Sequence, residues 1–262
     1  MNILNKLEIL SQSEWDFFKK NGYLIKRNFI DKTIVQRIQK ITEQHLKNRI
    51  APFELEQEVN YPGSPKTVEE KGGDTIRRLK LAYSRDEVFK NWINNQKVIQ
   101  VLKDLFQSEK IFFVQSHHNC VMTKQPQFSS ETHWHKDTRY WNFANNHLIN
   151  TWLPLDDEVK ENGCLQVIPQ SHQWHTPRDL LDERLFLRED LPESMQWIEK
   201  AQNVEMKQGD LLFFHAAIFH AAGNNKTQKS KNSAVFTFHG DDNHPIPESN
   251  STNFPEILIS QD

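Results

Sequence analysis

The sequence has little of what several large protein classes require. Only two of its 262 residues are cysteine, Cys120 and Cys164, and they do not form a Cys-x-x-Cys pair. A disulfide framework and a zinc ribbon are therefore excluded. The formal charge is −3, too near neutrality for the basic surface that binds nucleic acid. We therefore expect no nucleic-acid partner.

Long apolar runs are also missing. The most apolar stretch, residues 211–222, contains His215 and His220 and is too short to span a bilayer. Near the start of the chain, Lys6 and Glu8 interrupt the apolar residues before they reach the length of a signal peptide. There is no Gly-x-Ser-x-Gly elbow, Walker loop or dinucleotide-binding glycine motif. These absences predict a cytoplasmic protein with no membrane partner, outside the hydrolase-fold, nucleotide-hydrolysing and dinucleotide-binding classes.

The pattern of apolar residues changes about two fifths of the way along the chain. Residues 1–110 contain helical periodicities and caps, and predict a mostly helical support. Residues 111–245 contain short apolar or alternating runs separated by turn residues, the pattern of an all-β sandwich or barrel. Residues 246–262 are expected to form a C-terminal tail. The sequence thus predicts one domain of mixed α+β class, with a β-barrel core. Residues 171–200 could cover the barrel as a lid, but a connector between two strands is the preferred interpretation.

Histidine is the residue whose distribution points to chemistry. Of the 12 histidines, all but His45 lie between His117 and His244. In Thr132-His-Trp-His135-Lys-Asp137 an extended backbone places His135 and Asp137 on one side, although His133 shares that side. With His220 from a remote strand they would form a 2-His-1-carboxylate set, which suits non-haem iron(II). Taken alone, His-x-Asp is more often a surface histidine beside a solvated aspartate.

Four segments in series resolve that ambiguity, because they resemble the phytanoyl-CoA dioxygenase family of iron(II)- and 2-oxoglutarate-dependent oxygenases. Residues 14–29 (EWDFFKKNGYLIKRNF) look like the family's opening helix and strand. Trp134-His-Lys-Asp137 is similar to its metal motif. Two further segments follow in the family's order and spacing, residues 152–172 (WLPLDDEVKENGCLQVIPQSH) and residues 209–225 (GDLLFFHAAIFHAAGNN).

The resemblance implies a double-stranded β-helix, or jelly-roll, core with iron(II) held by His135, Asp137 and His220. It also implies 2-oxoglutarate as cosubstrate and O2 as oxidant, with release of succinate and carbon dioxide. Related halogenases lack the carboxylate ligand, so the presence of Asp137 favours hydroxylation of an unactivated C–H bond.

The chain departs from the family where the far carboxylate of 2-oxoglutarate is bound. The family's arginine, eleven residues after the distal histidine, is Lys231 here, and its serine is Ala222. Lysine lacks the bidentate fork of arginine, so the resemblance implies weaker cosubstrate binding through Lys231. The alternative is that Lys231 is a solvated surface residue. Three further positions match the family's cosubstrate pocket: Lys80, Cys120 and Trp152.

The substrate is expected to be a small molecule, and the sequence offers candidates to bind it. Arg139 and Trp141 follow the metal motif directly, and His117 or His118 on the preceding strand can face the same cavity. Two other functions stay open: a metalloenzyme that does not use 2-oxoglutarate, and a catalytically altered jelly-roll protein that binds metal. Both are favoured by the replaced arginine and serine, whereas the intact ligand set argues against loss of catalysis.

Overall fold

A computed structural model describes residues 7–59, 61, 64–126 and 128–260. Five helices are present in these ranges: α1 (Gln12–Asn21), α2 (Lys32–Lys47), α3 (Glu87–Ile93), α4 (Gln96–Phe106) and α5 (Pro192–Ile198). The strands are β1 (Tyr23–Lys26), β2 (Phe53–Leu55), β3 (Ile76–Lys80), β4 (Phe112–Lys124), β5 (Thr132–His135), β6 (Ile149–Pro154), β7 (Leu165–Val167), β8 (Gln202–Val204), β9 (Leu211–His215), β10 (His220–Ala222), β11 (Lys231–His239) and β12 (Ile257–Leu258).

The helices of the first 110 residues begin at polar caps. Ser11 caps α1 in a capping box with Glu14, and Asp31 caps α2 by accepting from the backbone of Thr33. The sequence pattern predicts one helix over residues 88–106, but the structure has two, because Asn94 is the C-cap of α3 and Asn95 is the N-cap of α4. The apolar faces of these helices pack against one side of a large sheet.

Two antiparallel sheets make the core. One has eight strands in the order β1-β9-β6-β11-β4-β3-β2, with β12 also paired to β4; the other has four, in the order β5-β10-β7-β8. A second apolar cluster, which includes Trp152, Leu165 and Phe214, lies among strands of both sheets. The predicted α+β class with a jelly-roll core is confirmed.

A bulge in β4 shapes the inside of the barrel. Phe236 of β11 pairs with Asn119, but the next residue, Thr237, pairs with Val114, so residues 115–118 have no partner on β11. The C-terminal segment holds this bulge, because Gln115 Nε2 donates to the carbonyl of Pro255 (2.7 Å) and Phe254 N donates to Ser116 Oγ (3.0 Å). The bulge brings His117 and His118 to the central cavity.

Residues 171–200 connect β7 to β8 and also pack beside the cavity. Leu187 N donates to the carbonyl of Trp134 (2.8 Å), and the ring of Phe186 lies 5.8 Å from that of His135. In the described ranges no helix is both long enough and apolar enough to cross a bilayer.

Candidate active site

Three predicted ligands meet at one end of the barrel. His135 on β5 and His220 on β10 are cross-strand partners, and Asp137 follows β5 at the start of a 3-10 helix. Asp137 Oδ1 lies 3.6 Å from the Nε2 atom of each histidine. One ligand atom from each residue lies within 4.8 Å of the other two, and all three residues are buried. The order of the strands therefore brings together side chains that are far apart in the sequence.

Backbone carbonyls orient both imidazoles. Nδ1 of His135 donates to the carbonyl of His133 (2.8 Å), and Nδ1 of His220 donates to that of Ile218 (3.1 Å). Because the Nδ1 atoms carry the protons, the Nε2 lone pairs point towards Asp137. This is the tautomer in which histidine binds a metal ion.

The charges of the site also suit a cation. Burial, together with the neighbouring His220, lowers the pKa of His135 to about 3. Burial lowers the pKa of His220 as well. Burial alone would raise the pKa of Asp137, but His118 and His220 hold it well below its usual value. Two neutral imidazoles and one carboxylate fit a divalent ion of the iron type.

Hydrogen bonds also fix the second oxygen of the Asp137 carboxylate and the residues around it. Asn150 Nδ2 donates to Asp137 Oδ2 (2.7 Å), and Asn150 Oδ1 accepts from Thr237 Oγ1 (2.6 Å). His118 Nε2 lies 3.0 Å from Asp137 Oδ1. Burial would lower the pKa of His118, but the adjacent carboxylate raises it to about 10. The sequence offered no signal for Asn150, and it left His118 as one of two possibilities.

Two other histidines lie apart from the ligand group. His133 Nδ1 is 3.1 Å from Glu189 Oε1 and is not one of the three grouped ligands. Nδ1 of His215 accepts from the backbone of Ala217 (3.1 Å), and burial lowers the pKa of His215 to about 3.

The three ligands lie in the wall of a cavity of about 420 Å³. All residues predicted to bind the cosubstrate or the substrate line the same cavity: Lys80, Cys120, Trp152, Lys231, His117, Arg139 and Trp141. Lys80 is exposed at its rim, whereas Cys120 and Trp152 are buried in the interior. The volume suits a small organic molecule.

Lys231 is not a surface residue, which corrects one of the two sequence interpretations. It is 2% exposed, and its ammonium donates to Glu158 Oε2 (3.1 Å) and to the carbonyl of Gly163 (3.0 Å). Glu158 is fully buried and also accepts from Trp152 Nε1 (2.7 Å) and Ser233 Oγ (2.5 Å). Sequence reasoning missed Glu158, since it lies in an acidic run that is typical of a solvated turn.

Aromatic stacking builds the opposite wall. The indole of Trp141 stacks on His117 with ring centroids 4.5 Å apart, and His117 Nε2 lies 2.7 Å from Ser251 Oγ. Burial lowers the pKa of His117 to about 4, so it is neutral near pH 7. The guanidinium of Arg139 lies 4.1 Å from the ring centroid of Phe186. Its Nη1 atom is buried and has no hydrogen-bond partner among the residues the structure describes.

Comparisons with known proteins agree with this geometry. The phytanoyl-CoA dioxygenase (PhyH) family model matches residues 18–233. A probable phytanoyl-CoA dioxygenase of Caenorhabditis elegans is 26% identical over 255 residues, covering 89% of this chain and 77% of that protein. The structure of EctD from S. alaskensis with 2-oxoglutarate and 5-hydroxyectoine matches with a TM-score of 0.73 at 16% identity, over 90% of this chain and 78% of that one. The alpha-ketoglutarate-dependent epimerase SnoN from nogalamycin biosynthesis matches with a TM-score of 0.71 at 18% identity, over 90% and 85%.

Proposed function

The chain belongs to the phytanoyl-CoA dioxygenase family of iron(II)- and 2-oxoglutarate-dependent oxygenases, and from that premise we propose that it hydroxylates an unactivated C–H bond of a small molecule. The co-reactants are 2-oxoglutarate and dioxygen, and the co-products are succinate and carbon dioxide. One observation carries the proposal: His135, Asp137 and His220 place three ligand atoms within 4.8 Å of one another in the wall of a cavity. Such a set leaves coordination positions open for reactants.

In the proposed mechanism the protein binds and orients. His135, Asp137 and His220 would hold the iron, which together with 2-oxoglutarate and dioxygen supplies the oxidising power. Asn150 fixes the rotation of the Asp137 carboxylate through Oδ2, so that Oδ1 faces the two imidazoles. The carbonyls behind both histidines keep the Nε2 atoms unprotonated. The ligand geometry is therefore set before metal arrives.

Arg139 supports a substrate that carries an anionic group. Arg139 lines the cavity, its buried Nη1 atom has no partner in the described ranges, and an unpaired buried donor is costly. A carboxylate or phosphate can accept two parallel hydrogen bonds from a guanidinium. The rings of Phe186 and Tyr140, 4.1 and 4.9 Å from the guanidinium carbon, hold the group in place. We therefore propose an anionic small molecule as substrate.

A second candidate function is favoured by one observation, the buried Lys231–Glu158 pair. The pair occupies the position from which the family binds 2-oxoglutarate. A protein that binds metal but does not convert 2-oxoglutarate would be consistent with it, as would a metalloenzyme of another type.

A succinate-release screen distinguishes these functions. The purified protein with iron(II), ascorbate and 2-oxoglutarate is incubated with matched pairs of anionic molecules and their neutral esters or amides. The panel includes amino acids and acyl-CoA thioesters. We expect succinate release above the uncoupled rate with at least one anionic member, and none with Asp137→Ala. If 2-oxoglutarate is not converted under any condition, although iron binds, the second candidate is correct.

A further inference from the structure

Two buried lysines lie side by side at the end of the cavity where the cosubstrate is expected. Lys124 on β4 and Lys231 on β11 are direct cross-strand partners, and both line the cavity. They are 7% and 2% exposed. A buried ammonium is costly unless an anion or several acceptors surround it. Their surroundings differ, and that difference assigns them different roles.

Lys231 is already neutralised. Its ammonium lies 3.1 Å from Glu158 Oε2, and the carboxylate is fixed by Trp152 and Ser233. A second carboxylate brought to Lys231 would lie beside that of Glu158, and like charges at such distances repel in a buried site. Lys231 is therefore poorly suited to bind the far carboxylate of 2-oxoglutarate.

Lys124 has no such partner. Its ammonium donates to the carbonyls of Ser130 (3.0 Å) and Ala222 (3.3 Å). No carboxylate of the described residues lies within ion-pair distance of it. An ammonium has three donors, so one remains for a ligand. Because Ala222 is two residues from His220, the contact to its carbonyl also fixes Lys124 at the end of β10 that lies two residues from the metal ligand.

We infer that Lys124, rather than Lys231, is the cation that binds the carboxylate of 2-oxoglutarate farthest from the metal. The inference rests on the proposed function, since it needs a 2-oxo acid at the metal. Glu158 then has the role of cancelling the charge of Lys231 and excluding an anion from that position. Protonated Lys124 would then supply the one uncompensated positive charge at this end of the cavity, which matches one carboxylate.

The electrostatics support this assignment. Burial, together with the nearby cations Arg77 and Lys231, lowers the pKa of Lys124 well below its usual value, while Glu56 and Glu131 act in the opposite direction. Glu56 is largely committed to Arg77, 3.2 Å away. A carboxylate bound to Lys124 would favour its charged form, so binding is expected to take up a proton.

The test is equilibrium binding, not turnover. Anaerobic calorimetry with the iron(II)-loaded protein compares 2-oxoglutarate with 2-oxopentanoate, which has the same length and the same metal-binding end but no far carboxylate. In the wild type we expect 2-oxoglutarate to bind about tenfold tighter or more, the value of a charge-assisted hydrogen bond. Lys124→Gln keeps donors for the two carbonyls but removes the charge, and should bring the two affinities close together. Lys124→Arg should restore the preference.

The matched control removes the other cation without leaving an unpaired charge. In the double variant Lys231→Met, Glu158→Gln the amide oxygen can still accept from Trp152 and Ser233, and the preference for 2-oxoglutarate should persist. The inference is overturned if the preference is lost in this double variant but kept in Lys124→Gln, or if the wild type binds both acids equally. If the wild type binds neither acid, the proposed function itself is wrong. Thermal melting confirms that each variant is folded.

Discussion

The buried ion pair between Lys231 and Glu158 gives a prediction about stability that does not depend on any ligand. Lys231→Met keeps an unbranched side chain, one atom shorter, but leaves the carboxylate of Glu158, fully buried, without its cation. Removing one partner of such a pair costs about 3–5 kcal/mol. Because Trp152 and Ser233 still donate to Glu158, we expect the lower end, about 3 kcal/mol.

This cost should be visible as a fall in melting temperature of roughly 6–12 °C, since about 1 kcal/mol shifts a domain of this size by about 2–4 °C. Urea unfolding followed by tryptophan fluorescence gives the free energy directly. The double variant Lys231→Met, Glu158→Gln should recover most of the loss, because no buried charge remains unpaired.

A surface pair of similar length provides the matched control. Lys90 Nζ lies 3.0 Å from Glu87 Oε2, but the two side chains are 45% and 69% exposed. Lys90→Met should therefore leave the free energy of unfolding nearly unchanged. If Lys231→Met costs no more than Lys90→Met, Lys231 is solvated, and the reasoning about both lysines fails.

Three further outcomes are expected. Asn150→Ala should weaken iron(II) binding by about 10–100-fold, because Asp137 Oδ2 loses its donor; unchanged affinity in anaerobic titration would show that the bond does not orient the ligand. The affinity for 2-oxoglutarate should fall as pH rises, by at most about tenfold per pH unit. The reason is that the ligand binds the protonated form of Lys124, and the pKa of Lys124 is lowered in the empty site. If the same pH dependence of the affinity persists in Lys124→Gln, another group causes it. Arg139→Met should raise KM for an anionic substrate by about 10–100-fold with little change for its neutral analogue; an equal change in KM for both would contradict substrate binding by Arg139.

Local patterns together with the family resemblance were sufficient to find the metal ligands. His135 and Asp137 are two residues apart on an extended segment, and the position of His220 follows from the order of family motifs. The same reasoning placed Trp152 and Cys120 in the cavity, which they line. These residues could be found because short motifs or strand periodicity determine where they point.

The positions of Glu158 and His118 could not be predicted, because they depend on contacts between distant parts of the chain. Glu158 follows two aspartates and resembles a solvated acid, but its backbone pairs with that of Met206 (2.8 and 2.9 Å), and this pairing turns the side chain inward. The bulge that carries His118 exists only in the pairing of β4 with β11. Neither contact leaves a periodicity in the sequence. By contrast, the division of the predicted helix 88–106 could have been found from the sequence. The pair Asn94-Asn95 is a local signal for the end of one helix and the cap of the next.

The most direct test of the central claim is anaerobic iron(II) binding measured by equilibrium dialysis with metal analysis. We predict one ion per chain in the wild type, loss of that ion in His135→Ala and in Asp137→Ala, and retention in His215→Ala, whose half-buried imidazole lies outside the ligand group. Full iron binding by both His135→Ala and Asp137→Ala, in protein shown by thermal melting to be folded, would contradict the claim that these residues form the metal site.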